Sequence, residues 1–333
     1  MESNNTLALK DRRSYRVTVL LIFAAAVVRA FLIGNAMGTI HISFDRIVEV
    51  MLHPDDSTES MTIWNIRLPR VILGGLVGIN LSLSGAILQG IMGNPLADPG
   101  IIGISAGAGL FGIFILVVLP QFQELVPVFA FLGAMVAAAI IYALAWNGGI
   151  LPMRVVLAGV AVSALFQAGI SATLVFYADR VHGALTFMNG SLSARSWGEV
   201  QTILPYTVLG LIAAFLLREK MNIMLLGDDV ARGVGLHVER TRFVCTALAA
   251  LLAASAVSVV GLLGFVGLIV PHSIRLLLGN DYKVLVPGSA LFGAALVMLS
   301  DTFARTVFSP TEIPVGIVMA VLGVPFFLYL LRR

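Results

Sequence analysis

Residues 67–109 read RLPRVILGGLVGINLSLSGAILQGIMGNPLADPGIIGISAGAG: an apolar run, a polar break with two prolines, and a second apolar run rich in small residues. A helix that spans a bilayer needs roughly 20 mostly apolar residues, and the first run has that length. Because proline interrupts the hydrogen bonds inside a helix, GNPLADPG predicts the end of one span and the start of the next. We expect Asp98 to cap the second helix, with Pro99 in its first turn.

The composition of the whole chain agrees with a membrane protein. Its 333 residues are 59% hydrophobic and 12% charged, and the mean hydropathy is +0.98, whereas soluble domains average about 25% charged residues. We therefore predict an all-α integral membrane protein with one polytopic domain over 1–333. Apolar runs predict spans near 17–38, 68–92, 100–119, 125–146, 154–177, 200–217, 285–304 and 314–331. The run 242–279 is too long for one helix and divides around Gly261 and Gly264, which gives about ten spans.

The basic residues predict the orientation. Lys and Arg flank the first span and end the chain, and most of the 21 fall on one predicted side. The positive-inside rule then places both termini in the cytoplasm, and this requires an even number of spans. The N-terminal apolar run near 17–38 is longer than the apolar core of a signal peptide. We therefore interpret it as a retained span. Trp64 and Trp197 predict short interfacial helices within the outer segments 39–66 and 178–199.

The sequence shows no motif for chemistry of its own. It has a single cysteine, Cys245, and five scattered histidines, so neither a disulfide framework nor a metal site is indicated, and no cofactor is expected. No G-x-x-x-x-G-K-[ST] loop for ATP is present. Asp98 and Asp301 are the only candidates for an intramembrane proton or sodium relay, which weighs against secondary transport. We expect a carrier that is driven by a separate chain and is not itself an enzyme.

Four stretches resemble one known family, the FecCD-type permeases. They are the opening stretch, LLGDDVARGVGLHV (225–238), GFVGLIVPHSIRLLLGNDYKVLVPGSALFGA (264–294) and SDTFARTVFSPTEIPVGIVMAVLGVPFFLYLL (300–331). These permeases are the membrane subunits of type II ABC importers for iron–siderophores, haem and cobalamin. The resemblance covers nearly the whole chain, in order, and implies ten spans per subunit.

The polar inner segment, about 218–241, is the first candidate site. Glycines there allow a tight turn between two short helices. An ordinary solvated loop would have the same composition. The resemblance implies instead that the segment docks into a cleft on an ATPase subunit, and the matching residues are Gly227, Asp228, Ala231, Arg232 and Gly235.

Arginines at predicted outer span ends are the second candidate site. Arg67, Arg70 and Arg305 could simply extend toward the headgroups. The resemblance implies that they bind carboxylates on a solute-binding protein, for which the planar guanidinium is suited. Arg70 could instead face the helix bundle.

The third candidate site is the translocation path and its gate. By resemblance, the inner loop 145–154 carries a gate where two permease subunits meet, with Asn147, Gly148 and Gly149 allowing motion; a plain tight turn is the alternative. Asn94, Asp98 and Gln167 are candidates for the path. Most small residues of 157–172 are expected to serve helix packing.

These features together predict half of a dimeric importer pore in a bacterial cytoplasmic membrane. The predicted partners are a second permease subunit (identical or homologous), two cytoplasmic ATP-binding subunits and an extracytoplasmic solute-binding protein. Ferric siderophore is the expected cargo, with cobalamin or haem as alternatives. A proton-coupled transporter and a membrane anchor or receptor are the rival classes, and no interaction with nucleic acid is indicated.

Overall fold

A computed structural model of the protein describes residues 13–38, 42–100, 102–146 and 152–331, and this part of the chain is all-helical. Long apolar runs of the sequence form its long helices, and the polar segments between them form turns and short helices. The helices are α1 Arg13–Ala36, α2 Phe44–Leu52, α3 Thr58–Thr62, α4 Leu68–Met92, α5 Ile104–Val118, α6 Val126–Ala145, α7 Pro152–Phe176, α8 Val181–Asn189, α9 Trp197–Met224, α10 Asp228–Gly233, α11 Val238–Val260, α12 Val266–Leu278, α13 Tyr282–Thr306 and α14 Val315–Leu331.

The long helices occupy the predicted spans. Within the described ranges, seven helical stretches are long and apolar enough to cross a membrane, and α5, α12 and α14 are shorter apolar helices. The predicted division of 242–279 is confirmed, because α11 ends at Val260 and α12 begins at Val266, with Gly261 at φ 83° between them. The membrane fold is therefore confirmed, and the total of ten spans stays a prediction.

Helix α4 lies at the centre of the bundle and packs against α9, α11, α12 and α13. Its glycines bring neighbouring backbones very close: a Cβ atom on Gly78 would lie 2.1 Å from the Gly293 carbonyl oxygen of α13, and one on Gly85 would lie 2.0 Å from that of Gly267 in α12. Small residues are what allow membrane helices to approach in this way. The sequence GGLVGINLSLSG is therefore the packing surface of the central helix.

Polar side chains on α4 bind the same neighbours. Buried hydroxyl and amide groups need partners because water cannot reach them, and here they bond across helices. The four bonds are Asn80 Nδ2 to Ser255 Oγ at 3.0 Å, Ser82 Oγ to the Ser289 carbonyl at 2.8 Å, Ser84 Oγ to the Ala249 carbonyl at 2.7 Å, and Gln89 Nε2 to the Gly267 carbonyl at 3.0 Å.

The polar break after α4 differs from the prediction at one point. Gly93 ends α4 in the left-handed conformation at φ 57°. Asp98, however, accepts a hydrogen bond from the Gly100 N–H at 2.8 Å within a turn, and α5 begins only after Gly103, which has φ 96°. Because a Cβ at Gly103 would lie 2.9 Å from the Gly159 carbonyl oxygen, close packing on α7 fixes this glycine conformation and the start of α5. The prediction that Asp98 caps this helix is wrong.

Short helices form the predicted outer segments. Helices α2 and α3 lie in one and α8 lies in the other, as expected. Trp197 Nε1 donates to the Trp64 carbonyl at 2.8 Å, so the two tryptophans link the two segments.

Candidate functional site

Helix α10 and its flanking turns form the first candidate site. Gly227 precedes α10 at φ 94° and Gly235 follows it at φ 86°, conformations that favour glycine. Neither glycine has a neighbouring atom near the position of a Cβ. The glycine turn after α10 is present as predicted, but it leads into the long helix α11 and not into a second short helix.

The outward face of α10 is partly apolar. Leu226, Val230 and Val234 are 62%, 51% and 63% exposed, whereas Ala231 is fully buried. Ala231 therefore anchors the helix, and the exposed leucine and valines are available to a partner. These exposed residues extend the predicted set, and their spacing of four residues is the sequence signal that marks them.

Charged residues hold α10 in place. Arg232 binds Glu239 at 2.7 Å and Asp229 at 3.4 Å, and the hydrogen bond to Glu239 raises the pKa of Arg232. Arg242 is buried and was not predicted to belong to this site. It donates to Asp228 Oδ1 at 2.7 Å and to the Ile91 carbonyl of α4 at 3.2 Å.

This arginine connects the surface helix to the core of the bundle. A buried, charge-assisted bond is shorter and stronger than a neutral one, and Arg242 makes one while also bonding the last turn of α4. Arg242 therefore joins α10 directly to the C-terminal end of the central helix.

Arg70 belongs to a second cluster, at the opposite end of α4. Its guanidinium makes two bonds to Asp301 of α13, at 2.8 and 2.9 Å, and one to Glu312 at 2.9 Å. Ser193 Oγ donates to the same Glu312 carboxylate at 3.1 Å. Arg70 therefore faces the bundle, which was the alternative for this residue.

The other two arginines of the predicted docking set are buried beside Arg70. Arg67 donates to the Asn35 and Ala36 carbonyls at 2.7 and 3.1 Å, and Arg305 donates to the Gly34 carbonyl. Both therefore bond the carbonyl end of α1. The structure brings the three predicted arginines together, since Arg67 and Arg305 bond neighbouring carbonyls of α1 and Arg67 lies one helical turn before Arg70. Each of the three is at most 6% exposed. Their docking role stays a prediction.

The predicted path residues lie apart. Asp98 is buried and lines a cavity of about 380 Å³ together with Phe265 of the α11–α12 connection and Phe327 of α14. Asn94 caps its own turn by accepting from the Leu96 N–H at 2.9 Å. Gln167 is on an exposed face of α7. The predicted gate residues Asn147, Gly148 and Gly149 lie outside the described residues.

The described ranges contain no cluster of three His, Cys, Asp or Glu side chains that could hold a metal ion. The two polar clusters at the ends of α4 consist of arginines, carboxylates and backbone carbonyls.

Comparison with known proteins identifies the family. A sequence model of the FecCD transport family matches residues 20–333. The chain belongs to the FecCD transport family. The family resemblance and the all-helical permease fold are both confirmed.

Individual FecCD relatives extend over most of the chain. The Fe(3+)-citrate import system permease protein of Bacillus subtilis (strain 168) is 36% identical over 97% of both chains. The cobalamin import system permease protein of Halobacterium salinarum is 42% identical over 83% of this chain and 74% of its own. A solved structure of an inward-facing conformation, from a protein assigned to the metal-chelate type of ABC transporters, covers 95% of this chain and 99% of its own with a TM-score of 0.85 and 26% identity.

FecCD proteins are permease subunits of ABC importers. Such subunits are not enzymes themselves, and they work with an ATPase and a binding protein. The chain is accordingly a multi-pass membrane permease. Its two arginine clusters lie at the two ends of the central helix.

Proposed function

We propose that this FecCD permease takes up ferric siderophores across a bacterial cytoplasmic membrane, with both termini in the cytoplasm. The observation that carries the choice of an iron chelate is the match to a ferric-citrate permease over 97% of both chains. The cobalamin permease has a higher sequence identity, 42%, but the match covers only 74% of its length. Cobalamin is therefore the second candidate.

The ATPase is proposed to dock on α10. The exposed Leu226, Val230 and Val234 give an apolar contact surface, and Asp228 is bound to the buried Arg242. A partner that pulls on α10 would thus pull on α4, because Arg242 also bonds the Ile91 carbonyl. Nucleotide-driven motion would reach the membrane through this arginine.

The binding protein is proposed to dock at the Arg67, Arg70 and Arg305 cluster. Three guanidinium groups and the carboxylates of Asp301 and Glu312 leave one net positive charge. Glu312 is the member with substantial exposure, its side chain being 38% accessible. A carboxylate from the binding protein could replace Glu312 on Arg70 and pull at the outer end of α4.

The cargo is proposed to pass between two permease subunits, identical or homologous, with two ATP-binding subunits below them. Helices α7 and α9 leave most of their side chains uncovered within one chain, which supports further contacts with lipid and a second subunit. Asn94, Asp98 and Gln167 remain proposed for the path, and Asn147, Gly148 and Gly149 remain proposed for the gate.

The cargo can be tested with the solute-binding protein that is proposed to work with this permease. Its affinity for ferric siderophores, ferric citrate, haem and cobalamin should be measured by tryptophan fluorescence, followed by uptake of the same ligands in cells. Tight binding and uptake of a ferric siderophore support the proposal, whereas selective binding and uptake of cobalamin would establish the second candidate.

A further inference from the structure

A basic cavity of about 400 Å³ lies where α9 ends and α11 begins. Lys220 of α9 and Arg240 of α11 line it, together with His237, which directly precedes α11. No carboxylate is among the described residues of its wall. The cavity therefore presents a positive potential to an incoming anion.

Lys220 and Arg240 carry the permanent charges of this cavity, and their side chains make no hydrogen bond or ion pair within the described ranges. The nearest acids in the sequence bind other cations: Glu219 binds Lys283 at 3.2 Å, and Glu239 binds Arg232 at 2.7 Å. The other inner charges are therefore largely paired inside the chain, whereas those of the cavity are available to a ligand.

Most of the remaining wall is apolar: Leu217, Leu236 and Val244 line it, and Thr241 adds a hydroxyl group. Leu216 and Phe243, which precede Leu217 and Val244 in the sequence, are 75% and 53% exposed. The cavity thus joins a cationic end to an apolar surface on two spanning helices. A free phosphate would use only the cationic end, whereas a phospholipid would use both.

We propose that this cavity binds the phosphate headgroup of an anionic phospholipid, whose acyl chains lie along α9 and α11. Basic pockets between membrane helices bind anionic headgroups in this way. Gly235 of the α10 turn also lines the cavity, so a bound headgroup contacts the segment proposed for ATPase docking. That last consequence rests on the proposed function, whereas lipid binding itself does not.

The test measures lipid retention by the purified full chain, using native mass spectrometry with phosphatidylglycerol and phosphatidylcholine. The K220A/R240A variant should bind phosphatidylglycerol about 30-fold more weakly, since each basic residue contributes roughly a factor of five to anionic-lipid attraction. The R218A/K283A variant removes two neighbouring charges from outside the cavity and should bind normally. The K220R/R240K variant keeps both positive charges and should bind phosphatidylglycerol as the wild type does.

Three results would overturn the proposal. The first is phosphatidylglycerol binding that does not depend on the cavity: either K220A/R240A binds as tightly as wild type, or R218A/K283A loses as much affinity as K220A/R240A. The second is displacement of phosphatidylglycerol by inorganic phosphate at equal concentration, which would make this a site for a free anion. The third is loss of ATPase association in K220A/R240A with unchanged lipid binding, which would make the cavity part of the protein interface.

Discussion

Replacing Gly85 with alanine tests whether close backbone contact holds α4 against α12. The added Cβ would lie 2.0 Å from the Gly267 carbonyl oxygen and 2.5 Å from the Gly267 Cα. Ordinary contacts of this kind are about 3.5 Å. The opposing atoms are backbone, so no side chain can rotate away, and the two helices must separate by roughly 1 Å.

The expected cost has two contributions. Overpacking of this kind costs about 1–3 kcal/mol, and separation weakens the Gln89–Gly267 hydrogen bond, which contributes about 1 kcal/mol. Alanine gains about 0.5–1 kcal/mol over glycine inside a helix. We therefore expect a net loss of about 2 kcal/mol in the free energy of unfolding.

Thermal unfolding of the purified chain in detergent measures this loss. The Gly85→Ala variant should melt about 2–6 °C below wild type. Gly183→Ala is the matched control, because Gly183 lies inside α8 with no atom within 4 Å of the added Cβ, and it should melt at or above the wild-type temperature. Equal melting of the two variants would refute the helix-contact argument.

Three further predictions concern charged residues. Asp301→Asn should lower the free energy of unfolding by about 3 kcal/mol, because the buried guanidinium of Arg70 loses one of its two carboxylate partners. Thermal unfolding measures this loss. Arg242→Ala should lower the amount of cargo moved per ATP hydrolysed in the reconstituted complex, while ATP hydrolysis continues. An equal proportional fall in transport and in ATP hydrolysis would contradict the linking role of Arg242. The hydroxyl of Ser57 and the guanidinium of Arg46 lower the pKa of Asp55 to about 2, below its unfolded value of about 3.9. The α2–α3 segment should therefore be stabilised above about pH 4 and lose this contribution as the pH falls toward 2; hydrogen exchange measures it, and an Asp55→Asn variant with the same pH dependence would contradict it.

The positions of the long helices follow from the sequence because their apolar length is a local property. The break between α11 and α12 was predictable for the same reason, since 242–279 exceeds one span and Gly261 lies inside it. The start of α5 was not, because it depends on the contact of Gly103 with Gly159, which lies on another helix.

The burial of the arginines also depends on distant residues. Arg70 and Asp301 are 231 positions apart, so a single sequence shows two isolated charges near span ends and not a pair. Arg242 is likewise only one basic residue among many in the sequence, because its bond to the Ile91 carbonyl spans 151 positions. The glycines on either side of α10 were predictable because they lie within one short segment of the sequence.

The most direct test of the central claim is uptake of radioactive ferric siderophore into proteoliposomes that contain this chain, its ATPase and its binding protein. Uptake should require ATP and should be abolished when the Walker lysine of the ATPase is replaced. Uptake by this chain alone under a pH gradient, or undiminished uptake with the inactive ATPase, would contradict the assignment as an ABC importer permease.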